Sequence, residues 1–215
     1  MIPLKDDIPS RRFPIITITL IIINAVIWFF EQSLGRGVEQ LIYIFGVTPA
    51  RLFDMSIFGQ ITVMTTAMFL HGSWFHFLGN MLYLWIFGDN VEDRLGKARF
   101  IIFYLITGYI ATLAHVLSEP ASTIPLIGAS GAIAGVLGGY FILFPHARVL
   151  TLVPIFIFIQ FIRIPALYFL GIWFVLQIIS QTINISGAQP VAFLAHIGGF
   201  AAGALLVKLF EKHPY

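Results

Sequence analysis

No cysteine occurs in the 215 residues, so disulfides, thiolate nucleophiles and cysteine-based metal sites are all ruled out. Charge is scarce as well. Asp, Glu, Lys and Arg make up only 10% of the chain, against 59% hydrophobic residues and 22 phenylalanines. With a mean hydropathy of +0.93, a soluble domain of this size has no way to hide so much apolar surface. A pI near 9 does not point to nucleic acid, because the net charge is only +2. No HExxH zinc signature is present, and no aspartate lies inside any stretch long enough to span a membrane. Repeats and low-complexity tracts are lacking too.

What remains is a membrane protein. A spanning helix needs ~20 mostly apolar residues, and six stretches qualify: 13–33, 70–88, 98–118, 126–146, 165–183 and 191–208. The expected fold is therefore all-α, a polytopic bundle of six transmembrane helices forming one domain over 1–215. Val149 to Ile162 is too short to span and contains Pro154, so it reads as an interfacial loop. The polar stretch SQTINISGAQP, Ser180 to Pro190, reads as the turn between the last two spans. With six spans and both termini inside, ten Lys and Arg lie in inner segments and two, Arg36 and Arg51, in outer ones. The first span is long and lacks a small-residue cleavage pattern, so it is expected to be retained. The outer stretch 35–66 is apolar enough to lie partly in the outer leaflet.

Polar residues fall early in the three spans that run from outside to inside. Span two opens HGSWFHFLGN, with His76 and Asn80 one turn apart; span four carries Ser130 in GASG; span six carries His196 in AHIGGFAAG. Each has a plain structural reading. Ser130 can be one more small residue in a packing seam or a helix cap. His196 can be a core histidine, and His76 and Asn80 can tie helices together. Gly199 and Gly203 read as a seam that presses span six onto the Gly131 and Gly135 face of span four. The shared depth argues for more, because intramembrane ionisable groups are costly and usually functional. A serine beside an imidazole is a nucleophile. Asn80, neutral His76 and the Ser130 backbone N–H supply donors for an oxyanion. Gly128 and Gly131 leave room for a substrate backbone. No carboxylate occurs between Glu119 and Glu211, so the chemistry is a Ser–His dyad with no third member. His71 and His76, five apart, would lie about 140° apart on a helix, poorly placed to share a metal.

GASG around Ser130, HFLGN around His76 and Asn80, AHIGGFAAG around His196 and FGDNVEDRLG after span two together resemble the rhomboid intramembrane serine proteases. The likeness covers all six spans in order. It implies Ser130 as nucleophile, His196 as general base, and His76, Asn80 and the Ser130 amide as oxyanion donors. It also implies transmembrane protein substrates cut within the lipid bilayer, no cofactor, no metal and no nucleic acid partner. The expected location is a prokaryotic cell membrane, with the site opening to the outer face. Two departures stand out. Ala134 occupies the position where some rhomboids stack an aromatic on the histidine, and PARLFD with Arg51 replaces a Trp-Arg pair in the first outer loop. The competing readings are a catalytically silent rhomboid-like protein that binds membrane clients and, from another class, a small transporter. The first normally lacks the serine or histidine. The second normally carries charged groups or broken helices at mid-membrane.

Overall fold

Pro14 sets the first boundary. It lacks a backbone N–H and so fits just ahead of a helix, and α1 (Ile15–Ser33) starts directly after it. The computed structural model describes residues 1–155, 158–183 and 192–212. The helices that follow α1 are α2 (Val38–Phe45), α3 (Pro49–Leu52), α4 (Ile57–Ala67), α5 (Trp74–Leu95), α6 (Lys97–Ser118) and α7 (Ser130–Leu143). After them come α8 (Ala166–Ile183) and α9 (Phe193–Phe210), and three strands, β1 (Ile2–Lys5), β2 (Arg148–Ile155) and β3 (Phe158–Pro165), complete the described elements.

Among the described residues four helices, α1, α6, α8 and α9, are long and apolar enough to cross a membrane. The other two expected spans differ from that pattern in ways their residues explain. α5 has 22 residues but is diluted by His76, Asn80, Asp89 and Asn90, and it starts and ends later than 70–88. α7 is only 14 residues long, about 21 Å at 1.5 Å per residue, well short of the expected 126–146. Gly128, at φ +121°, cannot join the helix at its start, and Pro145 follows its end. From Gly131 to Tyr140 every residue of α7 is buried, so this short helix is the centre of the bundle. The expected turn of Ser180 to Pro190 and the start of the sixth span at 191 extend over 184–191, outside the described residues.

The expectation of an all-α chain with a loop over 149–162 is corrected by a small sheet. β2 and β3 form an antiparallel hairpin with Arg148 opposite Pro165, and β1 adds to the other side of β2 in the order β1-β2-β3. The reason lies in composition: Val, Ile, Phe and Thr dominate a stretch too short to span, and they favour extended backbone. The stretch between α1 and α5 folds as a 3-10 turn (Gly35–Gly37), α2, α3 and α4 around Val47, Leu52, Val63, Met64, Ala67 and Val116.

Glycines set the helix spacing. A Cβ at Gly199 would overlap the Gly131 carbonyl, one at Gly203 the Gly135 carbonyl, and one at Gly138 the Phe200 carbonyl. Gly131 and Gly135 in turn admit Ala111 and Thr107 of α6, so close packing continues on that side. Polar groups at the start of α1 are matched as well. Glu92, 3% exposed, accepts the N–H groups of Ile16 and Thr17 at 3.0 and 2.8 Å, capping α1 from α5. Outward-facing side chains are apolar, among them Phe75, Leu205 and Leu209, as a lipid-facing surface requires.

Candidate active site

Ser130 is the first residue of α7. The turn before it depends on Gly128, whose positive φ suits glycine and whose N–H donates to the Ala67 carbonyl at 2.8 Å. A Cβ at Gly128 would stand 2.6 Å from His76 Nε2, so the His76 ring packs directly on the turn that delivers the serine. Among the described residues no side chain caps α7, which leaves its first N–H groups without a side-chain acceptor there.

His196 is the fourth residue of α9. Gly131 opposes Gly199 and Gly135 opposes Gly203, which makes α7 and α9 parallel. In this register α9 starts earlier than α7, so the turn that carries His196 lies beside the start of α7, and the Ala195 carbonyl lies 4.0 Å from a Cβ built on Gly131. Ser130 and His196 thus sit in the first turns of adjacent helices held nearly at backbone contact. Among the described residues no hydrogen bond joins the Ser130 hydroxyl to the imidazole; such bonds commonly tighten only with substrate bound. The imidazole is instead held from its other side. His196 Nδ1 and Gln177 Oε1 of α8 are 2.8 Å apart, and the Trp173 ring lies 5.9 Å from the imidazole at 34°.

α5 brings the remaining candidates. Its start is capped by the Ser73 hydroxyl, which accepts the His76 N–H at 3.2 Å. Asn80, 7% exposed, donates from Nδ2 to His71 Nε2 at 3.1 Å. That leaves its second amide proton uncommitted to His71. His71 precedes α5 and is not part of it, so the helical angle expected between His71 and His76 does not apply; their rings are 5.2 Å apart. The His71 backbone N–H donates to both oxygens of Glu31, at 3.2 and 3.3 Å, and Glu31 is 1% exposed.

Sequence reasoning missed Gln177, Trp173, His71 and Glu31. A carboxamide inside an apolar run was the available signal for Gln177, since an unpartnered one is costly there. Among the described residues no group of three or more His, Asp or Glu side chains is placed to hold a metal. Two surface clefts lie elsewhere, one beside Glu92, Lys97 and Lys212 and the other beside Asp7 and Phe144. Neither includes Ser130 or His196.

Comparison with known proteins gives the family likeness. Residues 58–212 match the family described as Rhomboid domain. The chain is 32% identical over 130 residues to YdcA of Bacillus subtilis, provisionally named a rhomboid protease, covering 60% of this chain and 62% of that protein. It is 30% identical over 208 residues to Rhomboid-like protein 11, chloroplastic, of Arabidopsis thaliana, covering 89% of this chain and 67% of the relative. It is also 34% identical over 154 residues to Rhomboid protein 1, mitochondrial, of Saccharomyces cerevisiae, covering 68% and 40%. The chain thus spans about two fifths to two thirds of the length of these relatives.

Proposed function

The chain belongs to the rhomboid family, and from that premise we propose that it is an intramembrane serine endopeptidase working through a Ser130–His196 dyad. The observation that carries the reading is the parallel α7–α9 seam, which sets the uncapped start of one helix beside the histidine-bearing first turn of the other.

The steps use groups already described. Ser130 Oγ attacks the scissile carbonyl carbon as its proton passes to His196 Nε2. The resulting oxyanion is met by the Ser130 N–H, by His76 and by the second amide proton of Asn80. His196 then returns the proton to the leaving amine as the C–N bond breaks. A water molecule, deprotonated by the same imidazole, hydrolyses the acyl-enzyme and frees Ser130. The substrates are transmembrane segments of other membrane proteins, cut where small or helix-breaking residues weaken the helix. In this reading residues 1–215 act as one six-span unit, with α5 and α7 completing the four apolar helices. Both termini lie inside and the site opens outward.

A cleavage assay in liposomes with a generic single-span substrate tests the reading. Wild type should cut, whereas Ser130→Ala and His196→Ala should each be inactive yet inserted, because nucleophile and base act as a unit. A fluorophosphonate should label Ser130 only when His196 is present. Full proteolysis by Ser130→Ala would remove the dyad. Binding without cleavage by wild type would favour the silent, client-binding alternative.

A further inference from the structure

A serine hydrolase normally orients its histidine with a carboxylate, and among the described residues no carboxylate bonds to His196; Glu211, at the far end of α9, pairs with Arg94 and Lys208. Ala134 cannot stack on the ring, and it is itself fully buried. Something else must hold the imidazole, because a neutral histidine has two tautomers and only one leaves the nitrogen facing Ser130 unprotonated.

α8 supplies that hold. Gln177 lies in the apolar run of Ala166 to Ile179, where a carboxamide without a partner is costly. Its Oε1 is 2.8 Å from His196 Nδ1, a normal hydrogen-bond length. Trp173 sits one turn earlier on the same face of α8 and lies 5.9 Å from the imidazole at 34°. Phe193 approaches edge-on from α9 at 6.5 Å. One polar group and two rings thus fix the position and tilt of the imidazole.

We propose that Gln177 is the positioning residue of the dyad: its carboxamide oxygen accepts the Nδ1 proton of His196 and fixes the tautomer that leaves Nε2 to take the Ser130 proton. This rests on the dyad reading above. The chemistry differs from a triad in one respect. A neutral acceptor orients the ring without an opposite charge, so the imidazolium formed during attack is stabilised by a dipole and not by an ion pair.

The test uses the full chain in liposomes with a single-span substrate, comparing wild type, Gln177→Met, Gln177→Glu and Ser130→Ala. Methionine matches the length of glutamine but has no comparable acceptor. Gln177→Met should lower kcat by ~10–100-fold, since ~1 Å of misplacement can cost 10²-fold, and should leave KM within about twofold. Gln177→Glu keeps the acceptor and adds charge. It should retain cleavage, and the acid limb of its kcat/KM profile should move to higher pH, because a carboxylate favours the imidazolium. A residue that merely packed α8 on α9 would alter melting without moving that limb. Wild-type kcat in Gln177→Met overturns the proposal. Should that variant fail to fold, Gln177→Glu decides alone, and an unmoved acid limb overturns it. Cleavage by Ser130→Ala would overturn the dyad instead, and fluorophosphonate labelling of Ser130 gives the same separation without a substrate.

Discussion

The Glu31 carboxylate, in the last turn of α1, accepts the backbone N–H of His71 with both oxygens, and each residue is 1% exposed. The first helix is thereby tied to the segment that leads into α5. Glu31→Ala should cost ~1–3 kcal/mol of stability, the penalty for stranding a buried donor. Glu31→Gln, which keeps one acceptor oxygen, should cost less. Thermal unfolding of the two variants in the same detergent checks the order; equal melting points for Glu31→Ala and wild type would show the contact to be idle.

Asn80 has two jobs to separate. Its bond to His71 predicts a stability loss for Asn80→Ala of ~0.6–2 kcal/mol, typical of polar contacts between membrane helices. Its second amide proton predicts a fall in kcat of ~10²–10³, as for deletion of an oxyanion donor. Melting and turnover measured on one preparation read both. A lowered melting point with unchanged per-molecule turnover would leave Asn80 a purely structural role.

Two glycine substitutions should have opposite signs. Gly203→Ala drives a methyl into the Gly135 carbonyl, forcing α7 and α9 apart at a cost of ~1–3 kcal/mol. Gly79→Ala meets nothing within 4 Å and should stabilise α5 by ~0.5–1 kcal/mol through helix propensity. Cleavage should fall with Gly203→Ala and persist with Gly79→Ala.

The end of the bundle that carries the amino-terminal segment should respond to pH through Asp6. Burial pushes its carboxyl up to about 6, outweighing the Tyr140 hydroxyl that donates to it, and Asp89 and Asp7 add repulsion. A carboxyl raised above its unfolded value contributes stability below pH ~4 and loses it as pH rises through about 6. Docking of the amino-terminal segment should therefore weaken from pH 5 to 7.5. Asp6→Asn should be the more stable form at pH 7.5 and converge with wild type near pH 4. Hydrogen exchange of residues 2–10 at the three pH values measures this. A difference independent of pH would contradict it.

Long apolar runs made α1, α6, α8 and α9 readable from sequence, because hydropathy needs no knowledge of neighbours. Ser130, His76, Asn80 and His196 stood out for the same reason, as polar groups in apolar context at helical spacing. The hairpin of β2 and β3 was hidden because a run of 14 apolar residues carries no clear period, and its pairing with β1 joins residues far apart in the chain. The shortened α7 turned on the conformation of Gly128. Gln177 and Glu31 were visible as letters only. What gives each its meaning is the group opposite it, His196 Nδ1 in one case and the His71 N–H in the other, and those meetings are set by tertiary packing.

The sheet carries a consequence for handling the protein outside a membrane. β3 is one of its two edge strands, and Phe158, Ile159 and Phe161 on it are each more than 60% exposed. An edge strand offers a row of unpaired N–H and C=O groups, and a sticky, flat edge of this kind templates strands from other molecules. Gln160 and Arg163 are the polar residues within the strand, and Pro165 ends it. A charge such as Arg163 disfavours edge-to-edge pairing, so this edge is expected to limit how far the purified protein can be concentrated in micelles.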